Sequence, residues 1–350
     1  MKHSLLGAVI VSMLVAAGVT AVAQQADPSR KAPSAPVRAV SASPTDFTPK
    51  KTPDGQPDIS GNFSNATYTP LERPAELKDK AFFTSEEAAA FAQRRLDGLY
   101  AQAADALHYD DAIWQSEKTP KGLNSLRTSL VADPPDGRIP PVLPEAQQRI
   151  DAAAAARRGV DPSASVQNRG LTERCITSVN LTWPHDGAPM LPEGYNSNLR
   201  ITQAPGYVVI EQEMVHNARV IPLDGRPHIG EGVRQYTGDY RGHWEGNTLV
   251  IENTNFSDKT PFRGSTTALK VTERITPIDA DTLLYRATVE DPNTWARPWT
   301  IEYPIVRTVE PIYEYACHEG NYGVANILRA ARKAEADAAA ASAAPREGSR

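Results

Sequence analysis

Between residues 207 and 307 the sequence alternates apolar and polar side chains in short runs, and no stretch of helical period interrupts them. Successive strand residues point to opposite faces, so such runs read as strands with one buried face. The runs are Tyr207 to Val215, Ala218 to Leu223, Arg234 to Trp244, Thr248 to Phe256, Leu269 to Thr276, Thr282 to Glu290 and Trp299 to Arg307. Asp224-Gly225, Glu245-Gly246-Asn247 and Asp279-Ala280-Asp281 supply the turn chemistry between them. Parallel neighbours would need long crossover connections, usually helical, and the links here are too short. The strands must therefore run antiparallel.

A meander of this kind closes into a barrel or folds into a sandwich. The sequence predicts a mainly β chain with helical additions, an antiparallel up-and-down barrel of the lipocalin or calycin kind in preference to a sandwich. The helical additions lie upstream. Thr84-Ser85-Glu86-Glu87 is a capping box, followed by an Ala-rich stretch with Phe91, Leu96, Leu99 and Tyr100 at helical spacing, predicting a helix over 85–107. A second helix is expected over 144–158, with Pro144 in its first turn and Gly159 as its stop. The prolines of Asp133 to Pro141 force the chain between them into an extended, turn-rich path. These segments are expected to cover an end or a wall of the barrel, within one domain over 54–329.

The ends of the chain bear on its destination. Met1-Lys2-His3, the apolar run Leu5 to Val19 and the small residues Ala21-Val22-Ala23 have the pattern of a signal peptide over 1–23. The apolar run is shorter than the roughly 20 residues that span a bilayer. No Cys follows it, so a lipid anchor is not indicated, and no stable membrane insertion is expected after cleavage. Residues 24–53, dense in Pro, Ser, Ala, Lys and Thr, read as a linker, and 330–350 as a tail that starts helical and turns polar. The expected location is periplasmic or secreted. A formal charge of −5 without a basic run gives no footprint for nucleic acid. In an oxidising compartment the two cysteines, Cys175 and Cys317, are most simply one disulfide, since they lack the close spacing of a thiolate metal site.

Strand parity sorts the polar residues. Glu273 falls on the face of Leu269, Val271 and Ile275, which makes it an inward carboxylate; such a group is paired, hydrogen-bonded or available for acid and base work. On a regular strand His216 would share the inner face with Val208, Ile210 and Met214, leaving Glu213 outside. With Arg219 nearby, His216 and Glu273 form the candidate catalytic set. Candidate ligand-binding groups are Arg226 and His228 of the turn after Leu223, Asp239 and Arg241, which share parity with His243, and His318 with Glu319 beside Cys317. Each has a plain structural alternative. A core His satisfied by the backbone, a structural Arg–Glu pair, a solvated strand face and a helix cap by Glu319 or Asn321 explain the same residues. His216, His228 and His318 show no metal-ligand spacing, so neither a metal nor any other cofactor is expected. The chain has no nucleophile elbow, phosphate loop, dinucleotide fingerprint or zincin helix.

Several short motifs occur together. They are Thr52-Pro53-Asp54-Gly55-Gln56-Pro57-Asp58-Ile59-Ser60-Gly61, Ile221-Pro222-Leu223-Asp224-Gly225-Arg226-Pro227-His228 and Gly242-His243-Trp244-Glu245-Gly246-Asn247-Thr248-Leu249-Val250, followed by Val271-Thr272-Glu273-Arg274, Asp291-Pro292 and Arg297-Pro298-Trp299. In this set the chain resembles, over most of 52–323, a family of exported bacterial proteins of uncharacterised activity. Where that family reads Gly-Asp-Thr-Leu, this chain has Gly246-Asn247-Thr248-Leu249. The resemblance implies export and one continuous domain, and brings no reaction, cofactor or catalytic residue. The expected function is thus a polar-lined barrel cavity for a small organic or carbohydrate ligand, with cofactor-free lyase, isomerase or hydrolase chemistry at His216, Glu273 and Arg219 as its catalytic form. The alternative is a non-catalytic periplasmic binding or envelope-interaction module. Convergence of these groups on an open cavity would favour the first, and dispersed, paired groups the second.

Overall fold

A computed structural model describes residues 47–100, 125–177, 179–180, 183–184, 187–192 and 196–343. The strands are β1 (Gly61–Ser64), β2 (Val131–Asp133), β3 (Val179–Asn180), β4 (Trp183–Pro184), β5 (Asn198–Ala204), β6 (Tyr207–Gln212), β7 (Asn217–Pro222), β8 (Asp239–Glu245), β9 (Thr248–Thr254), β10 (Lys270–Pro277), β11 (Thr282–Glu290) and β12 (Trp299–Arg307). The helices are α1 (Ser85–Tyr100), α2 (Pro144–Arg158) and α3 (Tyr322–Ala343).

Nine strands follow the order β7-β6-β5-β1-β12-β11-β10-β9-β8, and every hydrogen-bonded pair is antiparallel. β5 to β12 form an up-and-down meander and β1 bridges its two ends, pairing with β5 on one side and β12 on the other. β2 pairs the other half of that edge of β12, at Thr300 and Ile301. The path is a nearly closed barrel. At the seam, β7 and β8 pack through side chains without a ladder. A Cβ on Gly242 of β8 would lie 2.7 Å from Ile221 Cγ2 and 2.8 Å from Leu223 Cδ2, so only a glycine lets them approach.

The alternation seen in the sequence sets this architecture. Along β10 every second residue from Val271 to Pro277 is buried, and β11 and β12 have the predicted bounds. Elsewhere the bounds differ. The run expected over 207–215 ends at Gln212 because Glu213 turns into helical backbone (φ −62°, ψ −40°), after which Val215 and His216 take left-handed φ values of 62° and 58°. The strand expected from Arg234 begins at Asp239, after an isolated bridge at Gln235. β1 and β2 are too short to carry a periodic signal.

The capping box at α1 is reciprocal: Thr84 N–H donates to Glu87 Oε2 at 2.8 Å, and Glu87 N–H donates to Thr84 Oγ1 at 3.2 Å. α1 is described to Tyr100, and the predicted stretch to Leu107 lies outside the described residues, as do the signal peptide and most of the linker. α2 starts at Pro144 and stops before Gly159, as its sequence predicts. It covers one barrel end, where Ile150 fills the space beside Gly264 and Phe262, Trp295 and Trp299 cluster with centroids 5.7–6.3 Å apart. α3 is continuous from Tyr322, so the expected division at residue 330 falls inside a helix. The predicted disulfide is present: Cys175 and Cys317, with Cα atoms 5.8 Å apart, join the chain before β3 to the segment before α3. Asn321 reinforces the junction by donating its Nδ2 to the Glu173 carbonyl at 2.7 Å.

Candidate functional site in the barrel interior

Glu273 is the inward carboxylate that its strand parity predicts, and it is fully buried. The ladder places Ala287 of β11 and Ile251 of β9 directly opposite it. Tyr285 and Asn253 are then its diagonal, same-face neighbours, within reach of long side chains. Tyr285 Oη donates to Glu273 Oε1 at 2.8 Å and Asn253 Nδ2 donates to Oε2 at 2.9 Å. From β7, Arg219 Nη1 also donates to Oε2, at 2.7 Å.

Arg219 is 1% exposed, with its guanidinium 5.3 Å from the centre of the Tyr240 ring. Burial opposes its charge, but the fields of Glu273 and Tyr240 outweigh burial and raise its pKa, so it stays protonated. Its Nε and Nη2 donors meet no protein acceptor among the described residues, and Asn253 Oδ1 likewise has no donor. Burial, followed by the charge of Glu273, pushes the Tyr285 phenol well above its ordinary value; burial does the same for Tyr303. Both are neutral donors at physiological pH.

A segment outside the barrel strands completes the site. Residues 187–192 run through the interior, with Ala188, Met190 and Leu191 buried in the barrel core. Met190 N–H donates to Tyr285 Oη at 2.8 Å, and Tyr303 Oη donates to the Met190 carbonyl at 2.8 Å. One small concavity is bordered by Leu191, Gln212 and Met214 and another by Gly187, Ala188 and Phe256. Each holds about 10 Å³ of space for a water-sized sphere, room for roughly one water. Core side chains pack the described interior, and neither concavity is the open polar cavity that was expected.

The three expected catalytic groups do not converge. Arg219 and Glu273 meet, but His216 is on the outside. The turn after Gln212 resets the parity, burying Glu213 and turning His216 out, where its Nε2 lies 3.1 Å from Glu211 Oε1. Arg226 is exposed and clasps Asp224, whose carboxyl falls to about 2 through the hydrogen bonds that Arg226 donates; Arg226 also donates to Tyr207 Oη at 3.1 Å. Asp239 and Arg241 lie on the outer face of β8. There Asp239 accepts from Arg241 Nη1 at 2.8 Å and from Ile229 N–H at 3.1 Å, and His228 Nδ1 lies 2.7 Å from it, an arrangement that fastens the 226–230 loop to the strand. His318 and Glu319 are exposed beside the disulfide. None of these groups lines the barrel interior.

Tyr285, Asn253, Tyr303, Tyr240 and Met190 were not singled out from the sequence. Parity marks Tyr285 and Asn253 as inward once the β9, β10 and β11 registers are known, whereas nothing in the pattern of residues 187–192 announces burial. Among the described residues no three His, Cys, Asp or Glu side chains are grouped to hold a metal ion, and no helix is long and apolar enough to cross a membrane.

No family model matches the chain, and a search of curated proteins finds no match. Among solved structures, a crystal structure of a mutant of the fluorescent protein UnaG is 16% identical, with 32% of this chain and 72% of that chain covered and a TM-score of 0.20. A likeness of that size carries no argument, and the barrel assignment rests on strand order and register.

Proposed function

We propose that the protein is exported and that its barrel binds a small organic ligand without turning it over. The observation that carries this reading is Arg219, a buried cation with two donors that meet no acceptor among the described residues. Leaving such donors unmet is costly, and a ligand carboxylate or carbonyl would meet them with charge-assisted hydrogen bonds. Catalysis is disfavoured because Glu273 already accepts from Arg219, Asn253 and Tyr285, while His216 is on the outer surface. Export to the periplasm or beyond is supported by the signal-like start of the sequence and by the disulfide.

The test is native mass spectrometry of the mature protein purified from the exported fraction of its own host. A retained, acceptor-bearing molecule that is lost in Arg219→Met supports the reading. A clean apo mass, with ordered water on the Arg219 donors in a crystal structure, overturns it. That outcome would leave the non-catalytic envelope-interaction module, which the three-fold pairing of Glu273 and the filled interior favour.

A further inference from the structure

Buried loops are rare because their backbone groups must find partners. The segment Gly187-Ala188-Pro189-Met190-Leu191-Pro192 lowers that demand, since its two prolines bring no N–H. At Met190 the demand is met by the barrel: Tyr285 Oη takes the N–H and Tyr303 Oη holds the carbonyl. The barrel interior thus reads both halves of one residue's backbone. The same Tyr285 hydroxyl donates to Glu273, whose other oxygen holds Arg219. One phenol and one carboxylate separate the amide position from the two unmet guanidinium donors.

We infer that residues 187–192 occupy the ligand's place and that the ligand is peptide-like, an N-acylated α-amino acid unit with an apolar side chain and a free carboxylate. The inference rests on the binding reading above and names its ligand class. The ligand's amide N–H takes the place of the Met190 N–H on Tyr285, one carboxylate oxygen takes the place of the Met190 carbonyl on Tyr303, its side chain replaces that of Met190, and the other carboxylate oxygen meets Arg219 Nε and Nη2. Met190 is displaced on binding. Without ligand, the segment keeps the site filled and dry.

The test titrates N-acetyl-L-methionine, its carboxamide, free L-methionine and the tripeptide Ala-Pro-Met into wild type, Met190→Ala and Leu191→Ala by calorimetry. Weakening the segment should tighten binding of N-acetyl-L-methionine by about tenfold or more, because ligand and segment compete for one place. The carboxamide and free methionine should bind at least about tenfold more weakly, and Arg219→Met in the Met190→Ala background should abolish the preference for the acid. Binding of the tripeptide alone would identify a peptide terminus as the source of the same chemistry. Equal affinity for acid and carboxamide, or no gain in either variant, overturns the inference.

If neither variant folds, hydrogen exchange at the Met190 amide of the wild type decides. Exchange through local opening supports displacement, and exchange only through global unfolding makes the segment permanent core and overturns it. A native ligand retained while the Met190 amide stays protected would defeat this inference but leave the binding reading standing. A clean apo mass with no probe bound would defeat both.

Discussion

Arg219 Nη1 and Glu273 Oε2 meet at 2.7 Å across the barrel, with both side chains sealed from solvent. β7 and β10 are not neighbours in the sheet, so this ion pair joins the barrel's two flanks through its interior. Taking two charges out of water is costly, and removing one partner leaves the other stranded.

Glu273→Leu should therefore lower unfolding stability by ~3–5 kcal/mol, and Arg219→Met by a similar amount. The double substitution Arg219→Met with Glu273→Leu should recover most of that loss, because an apolar pair carries no desolvation cost. Denaturant unfolding of the four proteins gives the coupling energy. Additive losses in the double variant would mean that the two side chains act independently.

Tyr285 and Tyr303 have pKa values raised by burial, above the ordinary value of 10.0 that they regain on unfolding. Above pH ~10 the unfolded chain releases these protons and the folded barrel keeps them, so stability falls as pH rises. The contribution is intact below that pH. Absorbance near 295 nm should show these two phenols ionising only as the barrel opens, in step with loss of circular dichroism. Ionisation at ordinary pH without unfolding would contradict their burial.

At the seam, Gly242→Ala would push a Cβ to within 2.7 Å of Ile221 Cγ2 and 2.8 Å of Leu223 Cδ2. Overpacking of this kind costs ~1–3 kcal/mol, and faster amide exchange confined to β7 and β8 should accompany it. A fully tolerated alanine would show that the seam yields freely.

The Cys175–Cys317 disulfide closes a sequence separation of 142 residues outside the barrel strands. Cys175→Ser with Cys317→Ser should cost ~2–4 kcal/mol and expose α3 and residues 161–177 to limited proteolysis, with the barrel retained. Loss of the barrel itself would mean that the bridge supports the strands directly.

Much of this molecule is local in origin. A period of two put Glu273 on the inner face, and Asp-Gly and Glu-Gly-Asn turns made the strands antiparallel. Thr84 with Glu87, and Pro144 with Gly159, set helix ends within a few residues of chain, so their outcomes were readable there. The export pattern and the absence of a nucleic-acid footprint are likewise sequence properties.

Partners came only with tertiary structure. Arg219 lies 54 residues from Glu273, and their meeting depends on how the barrel closes. A helical turn at Glu213, followed by left-handed Val215 and His216, buried Glu213 and left His216 exposed, a backbone choice that alternation does not encode. Met190 is buried because Tyr285 and Tyr303, some hundred residues away, converge on its peptide group. Periodicity and turn chemistry act between near neighbours in the chain, whereas a site assembled across a barrel depends on register and closure, which no single segment contains.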